Sequence, residues 1–74
     1  MQVTVKLFAG LRQGRFRVEK FELETGTSVA QIAQQHKIPY SEIGILIRNG
    51  RHVGLDCVLA EGDVLSIFPK VGGG

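Results

Sequence analysis

Apolar and polar residues alternate from the start of the chain: Val3, Val5 and Leu7 share one parity, and Gln2, Thr4 and Lys6 the other. A period of two predicts a half-buried strand over residues 1–8. Residues 9–14 hold two glycines and read as a loop. Alternation resumes with Phe16 and Val18, then with Phe21 and Leu23, but the phase slips by one residue between Val18 and Phe21. A β-bulge is expected there, because one extra residue re-aims every side chain after it. The two stretches are close enough to pair as a hairpin.

The period then changes. Ser28-Val29-Ala30-Gln31 has the spacing of a capping box. Val29, Ile32, Ala33 and His36 follow at i, i+3, i+4 and i+7, a narrow apolar stripe with His36 at its edge. Pro39 disfavours helical geometry at Ile38, so this amphipathic helix is expected to end near Lys37. It is too short to stand without packing on a sheet. Residues 39–42 read as a turn or a short 3₁₀ piece. The run Ile45-Leu46-Ile47 predicts a third strand with both faces covered. Asn49-Gly50 predicts a type I′ hairpin turn, whose two central residues need positive φ. A short return strand (Arg51, His52, Val53) follows, then an irregular stretch with Leu55, Val58 and Leu59 as core anchors. Glu61-Gly62-Asp63 is a tight turn into a last strand, Val64-Leu65-Ser66-Ile67-Phe68, with so little polar alternation that burial on both faces is expected.

The order strand–strand–helix–strand–strand–strand is a mixed α+β pattern. A helix bridging two strands of one sheet implies a right-handed crossover. The first and last strands are the best candidates for the sheet centre, where they would run parallel and send the tail out from one end.

Composition narrows the function. Seventy-four residues make one small domain, near the size at which a single core suffices. Apolar residues are 43% of the chain, enough for a compact fold. The single cysteine, Cys57, gives no internal disulfide framework and no metal site of its own. A net charge of +2 is too small to argue for nucleic acid. Without a signal peptide or a long apolar span, an intracellular, soluble protein is expected. His36 reads as a packed or half-exposed structural residue, His52 as solvent-facing, and Cys57 as buried and inert. Arg12, Arg15, Arg17 and Lys20 make the first hairpin basic, either as a solvated edge or as a dock for an acidic partner or RNA.

The remaining feature is the tail Phe68-Pro69-Lys70-Val71-Gly72-Gly73-Gly74. Terminal glycines serve no turn, and they are the most entropically demanding residues to order. Two readings compete: a frayed end, or a slim arm that delivers the α-carboxylate of Gly74 as a reagent.

Three segments resemble a known family. Val5-Lys6-Leu7-Phe8-Ala9-Gly10-Leu11-Arg12 is similar to the opening strand of the small sulfur-carrier proteins of the MoaD/ThiS family. Leu59-Ala60-Glu61-Gly62-Asp63-Val64 is similar to that family's entry into the last strand, and the tail to its Gly-Gly ending. The Phe68-Pro69 pair looks more like MoaD than ThiS. Lys70 stands where MoaD-like tails carry a second proline, and Gly72 where they carry another small residue. The resemblance implies a ubiquitin-like β-grasp fold, with a mixed four- to five-stranded sheet and one main helix packed on it. Residues 1–69 would form the body and 70–74 a flexible tail. It also implies a cytoplasmic protein co-substrate, not an enzyme. A ubiquitin-activating-like (E1-like) adenylyltransferase would adenylate Gly74 with ATP, and sulfur from a persulfide donor would convert it to a thiocarboxylate. Phe68, Pro69, Lys70, Val71, Gly72 and Gly73 would present that terminus to the partners. No bound cofactor, metal, nucleic acid or membrane is implied. The acceptor enzyme would be the large subunit of molybdopterin synthase, or alternatively the thiazole synthase of thiamin biosynthesis. A non-covalent binding module and a lysine-attached modifier are the competing readings.

Overall fold

The first and last strands lie side by side and parallel: β1 (Gln2–Leu7) pairs with β5 (Val64–Pro69) in a register running from Thr4↔Val64 to Leu7↔Ile67. The computed structural model describes residues 1–71; Gly72, Gly73 and Gly74 of the tail lie outside the described residues. Between the two central strands come β2 (Val18–Glu22), α1 (Val29–Gln35), β3 (Ile43–Arg48) and β4 (Arg51–His52), with 3₁₀ turns at Ala9–Arg12 and Tyr40–Glu42. The five-stranded sheet has the order β2-β1-β5-β3-β4. Only β1 and β5 are parallel; the other neighbours are antiparallel.

One face of this sheet carries the core. Val3, Val5 and Leu7 of β1, Leu46 of β3, and Leu65 and Ile67 of β5 meet Val29, Ile32 and Ala33 of α1, with Leu11, Ile38 and Leu59 closing the edges. Each large side chain so buried contributes about 1.5–3 kcal/mol. The capping box forms as expected: the Gln31 N–H donates to Ser28 Oγ (3.2 Å) and the Ser28 N–H to Gln31 Oε1 (2.8 Å). The helix ends at Gln35 because Lys37 turns left-handed (φ 56°), which drops Ile38 into the core. Arg15 closes that end. Its guanidinium donates to the carbonyls of His36 (3.0 Å), Lys37 (2.8 Å) and Leu11 (3.0 Å), so one cation of the basic hairpin satisfies carbonyls that a helix terminus leaves orphaned.

Four expectations need correction. β2 pairs with β1 without a bulge; Val18, opposite Lys6, faces away from the core, whereas Phe21, opposite Val3, faces it. Phe16 lies outside the strand and packs edge-on against Phe21 and His36. The register shift is instead in β3, between Ile43 and Ile45. Ile45 is 41% exposed, and the outer-face residues of β5 (Val64, Ser66, Phe68) are only half-buried, because α1 covers one face of the sheet and no described element covers the other. Val58 is 54% exposed, leaving Leu59 and, in part, Leu55 as the anchors of that loop.

A polar cluster joins the β3–β4 turn to the start of β5. Asn49 (φ 49°) and Gly50 (φ 82°) form the turn with positive φ, as expected. Asp63, 5% exposed, accepts from Arg48 Nε (2.7 Å), Asn49 Nδ2 (2.8 Å) and the Ala60 N–H (2.7 Å). Burial alone would raise this carboxyl; the three donors and the Arg48 charge outweigh it and hold it below the usual carboxylate range.

Asp63→Ala orphans three donors at once and is expected to cost about 2–3 kcal/mol, read from urea unfolding. The depressed carboxyl contributes stability that is present above its ordinary value of 3.8 and lost as pH falls through its folded value, so Asp63→Asn should flatten the acid limb of the stability profile. His36 acts in a higher window. Burial lowers its pKa, opposed by Glu19 and reinforced by Arg15, so its contribution is present above 6.5 and lost as pH falls through its lowered folded value. His36→Phe should remove that slope in thermal melts recorded between about pH 7 and pH 5, the range that brackets the histidine reference value.

Candidate functional site

Parallel pairing brings the ends of β1 and β5 together, so the residues following Leu7 and Ile67 become neighbours. The Phe8 N–H donates to the Ile67 carbonyl (3.2 Å), and the Phe8 and Phe68 rings pack with centroids 4.2 Å apart and planes tilted by 34°. Phe68 alternates with buried Ile67, which puts the pair on the uncovered face of the sheet. The turn after β1 adds Arg12. Its Nε donates to the Leu7 carbonyl (2.7 Å) and its guanidinium carbon lies 5.5 Å from the centre of the Phe8 ring, a cation–π arrangement.

On the other side of β5, Ile43 pairs with Pro69 and Ile45 with Phe68, leaving Gly44 between them. The Lys70 N–H donates to the Glu42 carbonyl (3.1 Å) and continues the ladder one residue past the strand. Beyond it, Val71 is 87% exposed. The chain therefore leaves the sheet between the Phe8–Arg12 turn and the Tyr40–Glu42 turn, with Arg12 and Lys70 exposed beside it. Ile45 stands next to Phe68 in the register, so Phe8, Phe68 and Ile45 make an apolar surface at the exit, rimmed by Arg12.

Of the residues singled out from the sequence, Phe68, Pro69, Lys70 and Val71 form this exit, and Gly72, Gly73 and Gly74 lie outside the described residues. His36 lies elsewhere, half-buried against Phe16 (5.2 Å) and Phe21 (4.8 Å) as a structural residue. Cys57 is half-buried rather than buried, and Arg48 Nη1 comes within 3.8 Å of its sulfur, a cation that sequence neighbours did not reveal. An open cleft of about 290 Å³ lined by Arg48, Asn49, Arg51, His52 and Val53 lies at the far end of β3 from the exit. Among the described residues, no group of His, Cys, Asp or Glu could hold a metal ion, and no helix is long and apolar enough to cross a membrane.

Sequence reading missed Phe8, Ile45 and Gly44 as parts of the exit. The signals were present. Phe8 and Phe68 both follow a core-facing residue at the end of strands expected to be parallel neighbours, and Gly44 interrupts an otherwise apolar strand, a sign of a bulge or a close backbone approach.

The profile of the ThiS family matches residues 5–74 of the chain. No curated protein sequence matches significantly. Among solved structures, SAMP1 (small archaeal modifier protein 1) of Haloferax volcanii superposes with a TM-score of 0.75 at 26% identity over 100% of both chains. A Pyrococcus furiosus structure described as a putative molybdopterin converting factor subunit 1 gives a TM-score of 0.72 at 33% identity, covering 96% of this chain and 99% of that one. A chain from the complex of subunits 1 and 2 of the molybdopterin-converting factor of Helicobacter pylori gives 0.68 at 23% identity over 100% of both, a likeness of fold. The mixed five-stranded sheet with its helix is the ubiquitin-like β-grasp.

Because Ile45 is 41% exposed but lies within β3 opposite Phe68, Ile45→Asp is expected to cost only about 1 kcal/mol, from lost strand propensity and cross-strand contact. Amide chemical shifts should move only around Phe8, Phe68 and Ile45. A larger loss in urea unfolding would mean that this surface is part of the core.

Proposed function

This chain belongs to the ThiS family, and from that premise we propose that it is a sulfur carrier whose reactive group is the carboxylate of Gly74. The observation that carries the proposal is the extent of the family match, which runs through Gly74, on a body whose central strand ends at an exposed exit. A carboxylate is ionised at neutral pH, with a reference pKa of about 3.5 for a chain terminus. It resists nucleophiles until one oxygen is made a leaving group. An E1-like adenylyltransferase supplies this by forming the acyl-adenylate from ATP with loss of pyrophosphate. The terminal sulfur of a persulfide then displaces AMP to give an acyl disulfide. A second thiol attacks the donor-side sulfur, breaking the S–S bond to leave the thiocarboxylate on Gly74 and a disulfide on the donor. Glycine suits such a terminus, because a Gly-Gly-Gly arm without Cβ atoms threads a narrow channel with either sign of φ and leaves the carbonyl open. The chain is thus a co-substrate, and the chemistry is carried out by its partners in the cytoplasm.

The acceptor we propose first is the molybdopterin precursor, held by the large subunit of molybdopterin synthase. The 33% identity to the Pyrococcus protein described as molybdopterin converting factor subunit 1 favours it over a thiazole synthase. The apolar exit surface of Phe8, Phe68 and Ile45, with Arg12 and Lys70 beside it, is what the body would offer such a partner. A second reading, attachment to protein lysines through the same activated terminus, draws on the likeness to SAMP1 over the full chain.

Incubation with ATP, a persulfide donor and the E1-like enzyme should raise the intact mass by the difference between sulfur and oxygen, mapped to Gly74. Deletion of Gly74 should abolish the gain while leaving the melting temperature unchanged. Normal sulfur transfer by the shortened chain would overturn Gly74 as the reactive residue, and no mass gain on the full chain would overturn the carrier reading. A ladder of lysine conjugates formed by the full chain in place of the gain would favour the modifier.

A further inference from the structure

Gly44 differs from the other glycines whose surroundings are described. Gly14, Gly26, Gly50 and Gly62 have positive φ and open space where a Cβ would stand, so turn conformation accounts for them; Gly10 also has open space, and Gly54 would meet only the rotatable Asp56 side chain, at 3.0 Å. Gly44 has no positive φ; what it lacks is room. A Cβ there would lie 2.6 Å from the Pro69 carbonyl oxygen and 2.9 Å from both Cα and N of Lys70. All three are backbone atoms, so no side-chain rotation relieves the clash. They are also the atoms from which the tail departs.

We infer that Gly44 is a positioning residue for the tail: by letting β3 touch the backbone of Pro69 and Lys70, it sets the direction in which the chain leaves the sheet toward Gly74. The register shift makes this possible. With Ile43 opposite Pro69 and Ile45 opposite Phe68, Gly44 is the extra residue of a bulge, and the bulge turns its missing side chain toward β5. The Lys70 N–H→Glu42 carbonyl bond then holds the exit from the same strand side (3.1 Å). The four residues after Lys70 reach at most about 14 Å when fully extended, so the point and direction of departure at Lys70 bound the volume that the reactive end can search. Misplacement by about 1 Å at a reacting centre already costs on the order of 100-fold in rate. The catalytic part of this inference rests on the reading of Gly74 as the reactive terminus; the positioning part does not.

Hydrogen exchange on the free protein separates the two. In the wild type the Lys70 amide should be protected, and exchange at the rate of an unstructured peptide would overturn the inference whether or not any variant folds. In Gly44→Ala the Lys70 amide should lose its protection while the amides of Val5 and Leu65 keep theirs, the pattern of a local opening in an intact fold. Unchanged Lys70 protection in that variant overturns the inference as well. With the E1-like enzyme and ATP, Gly44→Ala should lower kcat for adenylation roughly 10- to 100-fold with KM nearly unchanged, because the docking surface is intact and only the terminus is misdirected. An unaltered kcat, or a loss confined to KM, overturns it. A wild-type chain that is not adenylated at all overturns the carrier reading instead, and the exchange data then decide the role of Gly44 alone.

Discussion

The pairing of β1 with β5 is the contact on which the rest depends. It joins the two ends of the sequence, Thr4 to Val64 and Leu7 to Ile67, so the whole intervening chain must close as one loop before it can form. What offsets that closure is burial: Val5, Leu7, Leu65 and Ile67 sit together at the sheet centre with no exposed surface. With the central pair in place, β2 and β3 have one free edge each to occupy, and α1 crosses the face onto which Val3, Val5, Leu7, Leu65 and Ile67 project. The same parallel direction carries the end of β5 to the end of β1. An exit flanked by Phe8 and Arg12 is therefore a consequence of the fold's central contact, with no separate device needed to build it.

Around this centre the polar residues act mainly as fasteners. Asp63 binds the β3–β4 turn to the entry of β5 through Arg48 and Asn49, and Arg15 closes the carbonyl end of α1. The outermost strands carry charge where an unpaired edge would otherwise invite another chain: Glu19, Lys20 and Glu22 on β2, Arg51 on β4. The basic character of the first hairpin is thereby divided. Arg15 serves the structure, Arg12 is held over Phe8 beside the exit, and Arg17 and Lys20 face solvent.

The uncovered face and the exit make a division of labour physically reasonable. A carrier must be recognised by its body and react by its end, and these requirements pull in opposite directions. Recognition favours a rigid, partly apolar surface, which on the proposed carrier reading is the one built on the paired strands. Reaction favours a slender chain, and the sequence turns to glycine only after Val71. On that reading, the hand-over between the two falls where Gly44 lets β3 close on Pro69 and Lys70.

Element types, the capping box, the Asn49-Gly50 turn and the parallel central pair were legible in the sequence, since periodicity, caps and turn residues act within a few residues of themselves. The membership of the chain in its family was legible too, from segments at both ends. What remained hidden depended on which face α1 would cover. Val18, Ile45 and Val58 are apolar like the core residues, and only the finished sheet shows that they lie outside it. The phase slip before Phe21 looked like a bulge because periodicity records the side on which a residue falls but not whether that side is buried. Gly44 and the Phe8–Phe68 pair belong to the same class: the sequence carries a local sign of each, but their partners are more than twenty residues away, and only tertiary structure shows which segment makes the close approach.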